Sequence, residues 1–229
     1  MKHHLRALCK ISLPIGVGSY LRMGLTSLYH TLIPRALGGT ESVDFCAFGT
    51  IHGGVLPLIL LPSAVLSSLA ALLLVRVSTL RAKGKDEALT SLAKKTFSVL
   101  TLFCTLSILA LWALSPFLES TLGDEGRHYL YLLLPLLPCM YFDMIADAFL
   151  KGMNAQNASM LYNILDALLC ASFAYFLLPH MGISGYITLL YLSEGGNCLL
   201  SVSKMVRLLR KGTQKGQKNR KKRNFFAFF

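Results

Sequence analysis

Acidic residues are scarce in this sequence. Eleven Asp and Glu stand against 23 Lys and Arg, and charged residues of both signs fill only 15% of its 229 positions. A soluble domain covers its surface with about a quarter charged residues, so an ordinary water-facing surface is excluded. No GxSxG elbow, HExxH helix or Walker loop occurs, and the hydrolase, zinc-protease and nucleotide chemistries built on them have no support. Asp143 and Asp147 form one DxxxD pair, but handling a lipid phosphate through magnesium needs several converging carboxylates, and no second acidic motif is present. An enzyme is therefore not expected. The histidines (His3, His4, His30, His52, His128, His180) lack metal-ligand spacing, and the six cysteines are scattered without CxxC pairs. The cysteines read as packing residues, and neither a metal nor a cofactor is implied.

What the chain does have is 54% apolar residues and a formal charge of +12, a pairing that fits an all-α, polytopic membrane protein. A bilayer core about 30 Å thick takes roughly 20 apolar residues per helix. Six stretches meet that need, near 11–33, 46–75, 97–118, 128–150, 158–178 and 183–206. Residues 1–210 are thus expected to form a six-helix transmembrane lobe, and 211–229 a basic tail ending in phenylalanines. The second stretch contains Pro57 and Pro62 and reads as one kinked or tilted span, because neighbouring helices can satisfy the backbone groups a proline frees. The first stretch is too long for a signal peptide, is interrupted by Arg22 and has no small-residue cleavage site after it, so it is expected to be retained.

Three Lys and Arg precede the first stretch, six lie between the second and third, one follows the fourth and ten fall at the end of the sixth and in the tail, whereas the opposite loops hold only Arg35 and Arg127. The positive-inside rule then places both termini in the cytoplasm. Residues 81–96, "RAKGKDEALTSLAKKT", read as a short amphipathic helix lying at that interface. Anionic headgroups of the lipid bilayer should attract the tail by about 1 kcal/mol per basic residue. With no folded basic module, nucleic acid is not an expected partner.

Ionisable groups at membrane depth cost about 2.5 to 3.5 kcal/mol each on insertion scales, so those present should face protein or water. In the first stretch Gly18, Ser19, Arg22, Thr26, Tyr29 and His30 recur at helical spacing as one polar stripe. Arg22 either looks into a wet cavity or ties two helices together through an ion pair with Asp166 or Glu194. Further along, Asp147 and Lys151 can pair across one turn as a clamp, leaving the deeper Asp143 as the better functional candidate. Asp166 lies on a face with Ser159, Asn163 and Cys170, and Glu194 on one with Tyr191, Asn197 and Ser201. Each acid could bind a proton or a sodium ion, or serve only in interhelical hydrogen bonds. Gly49 and Gly53, Gly53-Gly54 and Gly195-Gly196 are expected at close helix contacts.

The series "LPIGVGSYLRMGLTSLYHTLIPRALG", "FGTIHGGVLPLILLPSAVLSSLAALLLVRVS", "DAFLKGMNAQNAS" and "LLPHMGISGYITLLYLSEGGNCLLS" resembles the second half of the stage V sporulation protein B family. That family belongs to the multidrug/oligosaccharidyl-lipid/polysaccharide flippase superfamily, related to the multidrug and toxic compound extrusion transporters. The resemblance implies two six-helix bundles around a cavity that opens alternately to either side, a design general among transporters with internal repeats. This chain would be one lobe, a fragment or a split-gene product, needing an N-terminal lobe partner or self-association. It further implies the bacterial cytoplasmic membrane, a lipid-linked anionic sugar as substrate, Arg22 on its pyrophosphate with Ser19, Thr26 and His30 beside it, and Asp143, Asp166 or Glu194 in ion coupling. Multidrug extrusion and a non-transporting scaffold or inactive fragment are the competing readings.

Overall fold

The computed structural model describes residues 20–37, apart from 22 and 29, and residues 42–226; the side chains of 42–43, 118–122 and 215–226 lie outside the description. Among the described residues every regular element is helical. A first helix, α1, is described over 20–37 apart from 22 and 29. It is followed by α2 (Ser42–Thr50), a π-helical turn (Ile51–Val55), α3 (Leu56–Leu60), α4 (Ser63–Ala82), α5 (Asp86–Leu133), α6 (Leu136–Gly152), α7 (Gln156–Phe176) and α8 (Leu178–Phe226).

Helix α5 is two arms, Asp86–Phe117 and Gly123–Leu133, separated where Gly123 leaves helical geometry at φ 69°. Ser115 and Tyr131, 16 residues apart, bring their hydroxyls to 2.6 Å. A straight helix would hold them roughly 24 Å apart, so the chain folds back here. Along the first arm Leu100, Cys104, Ser107 and Leu111 are buried, whereas Val99, Leu102, Leu106 and Leu109 are all more than half exposed. This outer stripe continues into exposed Trp112 and Phe117, and α4 adds Val65, Leu72 and Val75. Water-soluble proteins rarely leave such apolar surface bare; a hydrocarbon solvent is its natural complement. The all-α polytopic membrane fold anticipated above is the fold observed.

Among the described residues, three helices are long and apolar enough to cross a membrane alone: α4, Asp86–Phe117 of α5, and α7. The pair Gly123–Leu133 and Leu136–Gly152, bent by 52°, makes a fourth if it counts as one span. A count of six draws in addition on 11–33, only partly described, and on 183–206, whose apolar run is diluted by Glu194, Asn197 and serines.

The second apolar stretch breaks at Leu61–Pro62 into two helical pieces. Buried Tyr141 of α6 donates its hydroxyl to the Ile59 carbonyl at 2.8 Å. A neighbouring helix thus meets the need a proline break creates. The break at Leu134–Pro135, between α5 and α6, is met the same way: the Tyr191 hydroxyl of α8 donates to the Leu132 carbonyl.

Residues 81–96 do not lie as a separate interfacial helix. Helix α4 ends at Ala82, and Asp86 already begins the long arm of α5. The turn between them is a Schellman motif, with Gly84 at φ 64°, Lys85 N–H bonded to the Leu80 carbonyl and Gly84 N–H to that of Arg81. The "LKGMNAQ" turn repeats the device with Asn154 at φ 62°, its neighbour Ala155 bonding back to the Leu150 carbonyl at 2.8 Å.

Helix α6 is the hub. Tyr141, Ile145, Ala146, Phe149 and Leu150 are fully buried, and its widest contacts are with α8 and α4. Gly152 permits the α4 crossing: a Cβ there would come within 2.7 Å of Val77 Cγ1 and 3.0 Å of the Leu74 carbonyl oxygen. By contrast, added Cβ atoms at Gly49, Gly53, Gly195 and Gly196 meet nothing within 4 Å. The close approaches expected at those four are absent, because their faces turn away from every described helix.

Candidate functional site

Helix α8 meets α6 on one side and α7 on the other, and its positions 193, 194 and 197 carry Ser, Glu and Asn at helical spacing. Asp166, half-buried on α7, accepts a hydrogen bond from Ser193 Oγ at 2.7 Å, and Cys170 Sγ lies 3.8 Å from the same oxygen. Asp143, half-buried on α6, accepts one from Asn197 Nδ2 at 3.2 Å. The other end of that amide, Asn197 Oδ1, is buried without a hydrogen-bond partner among the described residues. Glu194, also half-buried, sits within electrostatic reach of both Cys170 and Cys198. The three acids singled out from the sequence therefore gather along one seam.

Asp147 is not part of that gathering. It pairs with Lys151 one turn on and accepts a hydrogen bond from Ser159 of α7, so it ties α6 to α7 at their connection, as its spacing suggested. Beside Glu194, the Gly195-Gly196 pair presents bare backbone to open space. An unobstructed surface next to a carboxylate and an amide leaves room for solvent or cargo.

A second polar group forms where the π-helical turn faces α1 and α8. His52 lies in that turn, stacked against Phe48 with ring centroids 5.3 Å apart and planes 11° apart. Its Nδ1 is 3.3 Å from the hydroxyl of buried Tyr186, whose ring meets Phe48 edge-on at 5.0 Å. His30, exposed on α1, approaches from the other side, 5.4 Å between imidazole centroids. Which nitrogen of His52 carries the proton follows from the tautomer, and a neutral imidazole beside a hydroxyl can either give or take one. Tyr186 and Ser193 are two turns apart on α8, so a single helix face runs from the histidines toward the acids.

Of the residues expected to meet cargo, Thr26 is half-buried on α1 and His30 joins this aromatic group, while Arg22 and Ser19 lie outside the described residues. His52 carried no role in the sequence reading. Its signal was a histidine directly before a glycine pair inside an apolar run, a pattern with no metal or catalytic spacing to mark it. Among the described residues, no set of three or more His, Cys, Asp or Glu is placed to hold a metal ion.

A π-helical turn inside an α-helix is uncommon and recurs at functional sites. Here it opens the helix where His52 contacts α8. Polar side chains collected at the junction of α6, α7 and α8 hydrogen-bond one helix to another inside a bundle whose described outer faces are apolar.

No curated protein and no solved structure matches this chain. The family model described as MatE matches residues 50–176, from the last residue of α2 to the end of α7 and over more than half of the 229 residues. With its exposed apolar helix faces and half-buried polar seam, the chain belongs to the MatE family and is a membrane transporter of the multidrug/oligosaccharidyl-lipid/polysaccharide flippase superfamily.

Proposed function

We propose that this transporter translocates lipid-linked oligosaccharide or cell-wall precursors across the bacterial cytoplasmic membrane by alternating access, as a lobe of the stage V sporulation protein B kind with both termini in the cytoplasm. The observation that carries this reading is Arg22 at the middle of the first apolar stretch, among Ser19, Thr26 and His30. A guanidinium stays charged at any physiological pH and offers forked donors that match a pyrophosphate. Its cost at membrane depth is offset when the bound cargo is anionic. Loading would neutralise the cation, and rocking of this lobe against a second would carry the headgroup across. The second lobe is a separate N-terminal partner or another copy of this chain. The bare faces at Gly49, Gly53, Gly195 and Gly196 support such a partner, since small residues let another helix come close.

A second reading is favoured by Asp143 and Asp166, each hydrogen-bonded to α8, with Glu194 carried on that helix. Carboxylates at membrane depth suit proton coupling and cationic drugs, as in multidrug extrusion. Arg22→Ala separates the two. Loss of precursor export with drug resistance unchanged supports the flippase; loss of drug resistance with export intact supports extrusion. No effect on either would leave a non-transporting scaffold and refute both.

A further inference from the structure

Residues 86–97 stand upright as the first turns of α5, beside the continuation of α8 past residue 200. The two are joined at their outer ends by the hydroxyls of Thr90 and Thr213, 3.1 Å apart. Between them lies a cavity of about 590 Å³, within the range of small-molecule sites. Its wall is apolar, with Phe97 on one side and Val202, Val206 and Leu209 on the other, and its rim carries the exposed cations Lys94 and Arg210. Among the described residues, no Asp or Glu lines it. The acids nearest in sequence are Glu87, exposed on the first turn of α5 and outside the lining, and Asp86, which is engaged by Arg81 at 2.8 Å.

We infer that this groove is a binding site for one anionic phospholipid, its phosphate held between Lys94 and Arg210 and an acyl chain laid along Phe97, Val202 and Val206. The charge selects the occupant. Two cations at a rim without carboxylates repel a cationic drug and gain little from a zwitterionic lipid. The depth agrees, because Lys94 and Arg210 stand where the apolar runs of α5 and α8 give way to charge, the level at which long basic side chains reach headgroups. A free phosphate would leave the apolar wall in contact with water. The site is distinct from the acidic seam, although a lipid bridging α5 to α8 would also restrain the helix that carries Ser193, Glu194 and Asn197. The proposal stands whichever cargo is transported.

The test is native mass spectrometry of the full chain purified in detergent and incubated with dioleoylphosphatidylglycerol or dioleoylphosphatidylcholine. The wild type should retain phosphatidylglycerol in clear preference. Lys94→Gln with Arg210→Gln should lower that retention roughly tenfold or more, as two headgroup attractions are lost. Lys83→Gln with Lys85→Gln, which alters exposed lysines that do not line the groove, should leave it unchanged. Val206→Trp, filling the groove without touching charge, should lower retention of the same lipid. Equal retention of the two lipids by the wild type would overturn the proposal without recourse to any variant. So would undiminished phosphatidylglycerol binding by the rim variant or the filled groove, each checked for folding by circular dichroism.

Discussion

Tyr141 is fully buried, yet its hydroxyl has a partner 2.8 Å away in the Ile59 carbonyl at the proline break. Tyr141→Phe keeps the ring and removes that donor, leaving a buried carbonyl short of one bond, which costs about 1–3 kcal/mol. The variant should unfold at a lower temperature in detergent while keeping its helical content; an unchanged midpoint would show that water or another donor fills the place. Single residues differed in how far the chain disclosed them. The Asp147–Lys151 pair was legible because helical spacing alone brings charges one turn apart together. The partners of Asp166 and Asp143 were not, since Ser193 and Asn197 come from another helix whose rotation no local pattern states. His52 was hidden for a similar reason: its role depends on Tyr186, 134 residues away.

Gly152 sets the distance between α4 and α6. An added methyl there meets a Val77 side chain and the backbone oxygen of Leu74, and backbone cannot swing aside. Gly152→Ala should cost about 1–3 kcal/mol through overpacking. Gly195→Ala, whose methyl would enter open space, should leave the same thermal midpoint nearly unchanged; equal losses in the two variants would refute the packing argument. Among the elements, the kink at Pro62 and the turn after α6 were anticipated, whereas the break at Leu134–Pro135 and the αL residues Gly84 and Asn154 were not. Nor was the π-helical turn, because one widened turn leaves the apolar period of the flanking helices almost intact. Residues 81–96 misled for a physical reason: an amphipathic pattern suits a helix lying on a bilayer and equally one standing against α8.

At the scale of the molecule, composition foretold the class of fold because lipid rewards apolar residues wherever they point, and the exposed stripe of α5 is the result. Which polar faces converge is a matter of helix rotation, and what they carry is a matter of cargo. The central claim, that a cation in the first apolar stretch stands in water shared with an anionic lipid-linked sugar, is tested most directly by thiol labelling at position 22. Arg22→Cys is introduced into a chain whose six native cysteines are replaced by alanine, and a membrane-impermeant maleimide is applied to proteoliposomes. The account predicts rapid labelling that slows when lipid-linked precursor is present and is unaffected by a cationic drug. A thiol that stays unlabelled from either side of the membrane, in protein still folded, would contradict it.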